Sequence, residues 1–129
     1  MSHSPFTAGL GPVTPVLRIF DTAKAREFYL DFLGFTLDWE HRFAEGLPLY
    51  QAISQGACQL HLSEHHGDAS PGARLRIPCA DLDAYQQALL AQDYGYARPG
   101  IDEQPWGREM TIADPFGNRL TFFDPREDD

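Results

Sequence analysis

Hydrophobic positions in the first third of the chain recur near every 3.6 residues, then every second residue. Ala25, Phe28, Tyr29, Phe32 and Leu33 fall at i, i+3, i+4, i+7 and i+8, one face of a helix. Asp21 or Thr22 can cap its start by accepting from an orphan N–H. Gly34 predicts its end, as the left-handed residue past the last turn. Ahead of the helix, Val16-Leu17-Arg18-Ile19-Phe20 predicts a short strand. After it, Phe35, Leu37, Trp39, His41 and Phe43 alternate with Thr36, Asp38, Glu40 and Arg42. A period of two predicts a half-exposed strand with those five side chains on one face. Strands are expected again at Leu49–Ser54 and Cys58–Ser63, around a turn at Gln55-Gly56.

The pattern then restarts. Leu75-Arg76-Ile77 repeats Leu17-Arg18-Ile19, and Asp81 opens a helix with Leu82, Tyr85, Ala88 and Leu89 on one face. Tyr94-Gly95-Tyr96 echoes Leu33-Gly34-Phe35. Strands are expected at Glu109–Ala113 and Asn118–Phe123. Between them Asp114-Pro115-Phe116-Gly117-Asn118 is a hairpin turn, with proline presetting φ and glycine supplying a positive φ. A period of about 60 residues is too long for a solenoid unit. It predicts an α+β fold of two βαβββ modules with curved mixed sheets. The expected boundaries are an arm at 1–12, modules at 13–64 and 73–125, a linker at 65–72 and an acidic tail at 126–129.

Charge narrows the partners. Nineteen Asp and Glu face ten Lys and Arg, for a net charge of −9. A nucleic-acid partner needs a basic face, and an anionic membrane would repel this chain. No stretch approaches the roughly 20 apolar residues of a membrane span. Residues 1–9 lack a basic and then apolar leader pattern, so a cytoplasmic protein is expected. Cys58 and Cys79 are read as two reduced, buried thiols.

The pattern strand–Asp–helix–LGF, followed by DPFGN before a terminal strand, resembles the vicinal-oxygen-chelate superfamily. That superfamily includes glyoxalase I, extradiol dioxygenases, fosfomycin-resistance enzymes and bleomycin-resistance proteins. EQPWGRE at 103–109, ahead of DPFGN, is similar to a segment of the bleomycin-resistance proteins, as is PVLRIFDTAKAREFY at 15–29. The resemblance implies a domain-swapped homodimer that exchanges its N-terminal strand and forms grooves at the interface. It implies a small-molecule ligand, a bleomycin-type cationic glycopeptide antibiotic, held without chemistry.

By the same resemblance, metal ligands would stand at Thr14, Arg74, Thr121 and near Gln59 or His61. Strand parity puts Thr14, Val16 and Arg18 opposite Leu17 and Ile19, and Arg74 and Arg76 opposite Leu75 and Ile77. Threonines and an arginine at these places predict no metal, because a guanidinium does not deprotonate and repels a divalent ion. No cofactor and no catalytic residue are expected: G-x-S-x-G and G-x-G-x-x-G are both missing. The expected ligand residues are Trp39, Trp106, Phe43, Asp38, His61 and Arg74. Flat rings can stack on an aromatic ligand and attract its cation, and Asp38, Glu40, Glu103 and Glu109 flank them. Arg18, Arg74 and Arg76 place positive charge on the same faces, which suits an anionic small molecule instead. The alternatives are a metal-dependent glyoxalase- or dioxygenase-type enzyme and a binder of an unknown small molecule.

Overall fold

The computed structural model describes residues 7–125. The first six residues of the expected arm and the acidic tail lie outside that range; residues 7–12 are exposed and form no helix or strand.

Two four-stranded mixed sheets carry the architecture. The first has the order β1-β4-β3-β2, from β1 (Val16–Arg18), β2 (Thr36–Arg42), β3 (Leu49–Gln55) and β4 (Cys58–Ser63). The second repeats it as β5-β8-β7-β6, from β5 (Arg74–Pro78), β6 (Asp102–Gln104), β7 (Gly107–Ala113) and β8 (Arg119–Phe123). In each, the first strand runs parallel to the last and the remaining pairs are antiparallel. β1 pairs with β4. Pro15 is tied in as well, its carbonyl accepting from the His61 N–H at 2.9 Å.

Helix α1 (Thr22–Ala25) is capped by Asp21, whose side chain accepts from the Lys24 N–H at 3.0 Å. It runs directly into a π-helical stretch, Arg26–Phe32, where Leu33 N–H bonds to the carbonyl of Phe28, five residues back. The predicted apolar face is buried throughout: Ala25, Phe28, Tyr29, Phe32 and Leu33. Gly34 follows with φ of 87°. Helix α2 (Leu82–Ala91) is capped by Asp81 and buries Leu82 and Leu89. Its expected face is narrower than predicted, since Ala88 is exposed.

Three sequence expectations are corrected. The Tyr94-Gly95-Tyr96 echo opens no strand: Tyr96 is exposed, and β6 forms only at Asp102–Gln104, a segment without apolar alternation. Gly95, Pro99 and Gly100 interrupt the chain between them. Cys58 and Cys79 are free but half-buried rather than fully buried; burial pushes both thiols above their ordinary range. The regular alternation of β2 is also broken. The register with β3 shifts between Leu37 and Trp39, so Asp38 is an extra, bulged residue. A bulge redirects every later side chain. Phe35 and Leu37 therefore pack with the core, while Trp39 and His41 share the opposite, open face with Ala52 and Tyr50.

One apolar core spans both sheets and both helices, and buried polar bonds join the two halves. Tyr29 donates to Asp114 Oδ2 at 2.6 Å. Burial, with the Asp114 carboxylate beside it, pushes this phenol far above its ordinary range. Asp114 also accepts from the Phe116 and Asn118 N–H groups, both at 2.8 Å. Asn118 accepts from Ala73 N–H at 3.1 Å and donates to the Arg18 carbonyl at 3.0 Å. The DPFGN turn, with Gly117 at φ 91°, thus pins β8 to both β5 and β1.

Candidate ligand-binding site

The residues expected to bind a ligand fall on the two sheet faces that the helices leave uncovered. On the first sheet, register aligns Trp39, Ala52, His61 and Val16 in one row across β2, β3, β4 and β1. The next row holds His41, Tyr50, Ser63 and Arg18. Trp39 stacks on Tyr50 with ring centroids 5.9 Å apart and meets the edge of His61 at 5.4 Å. Tyr50 Oη and His61 Nδ1 share a hydrogen bond of 2.6 Å. Burial and the nearby Asp68 carboxylate push the Tyr50 phenol up. Phe43 lies against His41 at 4.6 Å and near His65 at 6.2 Å. The result is a continuous wall of rings.

Trp39 and Phe43 are not core residues: they are 50% and 75% exposed. Asp38, in the bulge, accepts from Ser54 Oγ at 3.1 Å and stays beside Trp39. Glu40 does not, because the bulge sends it to the helix side. There it accepts from Gln51 at 3.1 Å and from Arg26 at 2.7 Å, which together hold its carboxyl below its ordinary range. Tyr50 was missed by the sequence reading. Its signal was the alternation of Tyr50, Ala52 and Ser54 with Gln51 and Ile53 in β3.

On the second sheet, Trp106 sits at the tip of the β6–β7 hairpin and is 61% exposed. Its indole N–H donates to Glu109 Oε2 at 2.9 Å. Glu109 is buried, and Arg76 Nη1 lies 3.5 Å away. The Arg76 guanidinium covers the Phe123 ring at 4.6 Å. Glu109, expected to flank the aromatic residues, is the group that fixes the orientation of Trp106. Trp106, Gly107, Arg108, Phe123, Asp124 and Arg76 line a recess of about 380 Å³. Glu103 is turned to Arg108, at 3.2 Å. Arg74 is exposed and stands beside Arg119 in the parallel register of β5 and β8.

The single chain does not bring the two tryptophans together. Among the described residues no hydrogen bond, ion pair or ring contact joins the Trp39 wall to the Trp106 corner.

The positions that the resemblance points to for a metal do not fit one. Thr121 is fully buried and its hydroxyl is 2.8 Å from that of Thr111. Arg74 brings a positive charge. His61 Nδ1 is taken by Tyr50, and His65 Nε2 is 3.1 Å from the Pro48 carbonyl. Among the described residues no three His, Cys, Asp or Glu side chains are grouped to hold an ion. The described helices are too short or too polar to cross a membrane.

A family model described as "Glyoxalase superfamily protein" matches residues 6–129. No curated protein sequence matches the chain. Among solved structures, TnmS3, an antibiotic binding protein from Streptomyces sp. CB03234, is 28% identical, with 90% of this chain and 97% of that one covered and a TM-score of 0.67. The bleomycin-binding protein of Streptomyces verticillus, solved with copper(II)-bleomycin, is 26% identical over 91% of this chain and 98% of that one, TM-score 0.68. The bleomycin resistance determinant encoded on transposon Tn5 shares the fold, at 20% identity, 91% and 99% coverage and TM-score 0.71.

Proposed function

The chain belongs to the glyoxalase superfamily, and from that premise we propose that it is an antibiotic-binding protein that sequesters its ligand without turning it over. The observation that carries this reading is the exposure of Trp39, Phe43 and Trp106 on open sheet faces. Large rings held in water by a hydrogen bond and by stacking cost stability and repay it only when a flat ligand covers them. The antibiotic-binding and bleomycin-binding proteins of similar fold and length support the ligand class. A bleomycin-type cationic glycopeptide is the specific ligand proposed. The net charge of −9 draws a cation from a distance, and Asp38 stands beside Trp39 to receive it.

The proposed assembly is a cytoplasmic homodimer in which the Trp39 wall of one chain faces the Trp106 corner of its partner. Pairing two copies would supply the proximity that one chain lacks. Leu10 of the arm and Val13 just after it, both exposed and apolar, are proposed to cross over with the N-terminal strand.

The test is titration with bleomycin at low salt, followed by calorimetry and intrinsic fluorescence. Trp39 and Trp106 are the two tryptophans of the chain, so occupation is expected to change the emission. Affinity is expected to weaken as salt rises, because the field reaches only about 8 Å at physiological ionic strength. No heat and no emission change at about 100 µM drug, a threshold near −5.5 kcal/mol, would overturn the assignment.

A further inference from the structure

The second sheet carries a feature that a cation-binding groove does not call for. Arg74 and Arg119 are register partners on β5 and β8. Both are exposed and both belong to the open face. Next to Arg119, across β7, is Ala113, small and exposed, which leaves the corner open. Like charges directly side by side on a sheet destabilise it. Every other described arginine has a partner. Arg26, Arg76, Arg98 and Arg108 are ion-paired, and Arg18 and Arg42 donate to backbone carbonyls. Arg74 and Arg119 have neither kind of partner among the described residues. The fold does not require them: the equivalent positions of the first sheet are Val16 and His61.

We propose that Arg74 and Arg119 form an oxyanion-recognition site, and that the aromatic ligand of this groove carries a carboxylate, sulfonate or phosphate group. Two adjacent guanidinium forks match the planar or tetrahedral arrangement of oxyanion oxygens and can donate to them in pairs. The inference rests on the aromatic-groove reading and narrows it: a ligand with a cationic end near Asp38 has an anionic group at the arginine corner. The acidic chain as a whole repels an anion, so any preference for one must arise locally, from these two side chains.

The experiment compares naphthalene-2-sulfonate with its uncharged counterpart, 2-naphthalenemethanol, by tryptophan fluorescence and calorimetry on the full chain. The sulfonate is expected to bind at least tenfold tighter, and Arg74→Gln/Arg119→Gln is expected to erase that difference by lowering the affinity for the sulfonate. Both positions are exposed, and a circular dichroism melt confirms that the double variant folds. Equal affinities for the two probes, or a preference that survives the double substitution, would overturn the proposal. So would a change of mass in solution with the probe affinities untouched, since the arginines would then face a second copy of the chain. Failure of the sulfonate to bind overturns it too. The bleomycin titration uses neither naphthalene probe, so that reading stands or falls on its own result.

Discussion

The two sheets share strand order and register, yet equivalent rows carry opposite chemistry. In the first sheet the row through β4 reads Trp39, Ala52, His61, Val16; in the second the matching row reads Ala113, Arg119, Arg74. The difference begins with strand length. β2 has seven residues and crosses the whole sheet, so its bulge can set Trp39 beside His61. β6 has three, ends beside Glu109, and leaves Ala113 without a strand partner on that side among the described residues. The second tryptophan therefore arrives on a hairpin tip and needs Glu109 to hold it. A repeated backbone thus fixes where a side chain stands, while the local sequence decides whether that place is aromatic, cationic or empty.

The comparison breaks most completely where the two halves are joined. Asn118→Ala removes the partner of Ala73 N–H, of the Arg18 carbonyl and of Asp114 Oδ2 in a buried setting. Unpaired buried polar groups cost about 1–3 kcal/mol each, partly offset by relaxation, so a loss of about 3 kcal/mol is expected in urea denaturation. A loss below about 1 kcal/mol would show that the halves hold together by apolar contact alone.

The next effect separates the two faces by function rather than by stability. Trp39→Ala and Trp106→Ala are each expected to weaken bleomycin binding by about 2 kcal/mol, the scale of an aromatic anchor. Both rings are half-exposed or more, so stability is expected to change by under about 0.5 kcal/mol. If one substitution alone removes binding and the other is neutral, the ligand occupies one sheet and needs no groove between chains.

The smallest effect tests the side of β2 that the bulge turns away from the wall. Glu40 is held below its ordinary range by Gln51 and Arg26. A lowered carboxyl contributes fully above the ordinary glutamate range, and the contribution is lost as pH falls through the lowered value. The Arg26–Glu40 pair is exposed, so Glu40→Gln is expected to cost only about 0.5 kcal/mol. That cost should be present at neutral pH and vanish in acid, as read from melting curves between about pH 3 and 7. A cost that persists in acid would assign Glu40 a packing role instead.

The sequence by itself determined the elements whose signal is local. The apolar helical face of Phe28, Tyr29 and Phe32, the caps Asp21 and Asp81, Gly34, and the DPFGN turn all act within a few residues of chain, and each stands where the pattern placed it, although residues 26–32 wind as a π-helix rather than the α-helix that the spacing predicts. The repeat of Leu17-Arg18-Ile19 at Leu75-Arg76-Ile77 likewise announced two sheets built alike. The tertiary structure alone decided which way side chains face and what they touch. Perfect alternation through Phe35–Phe43 hid the bulge at Asp38, because an extra residue shows only in the partner strand's register. β6 carries no periodic signal, since pairing with β7 rather than its own composition makes it a strand. Glu109 looks like any surface acid until the hairpin folds Trp106 over it. Tyr29 and Asp114, 85 positions apart, meet only because one core draws both modules together, and burial then makes their hydrogen bond matter.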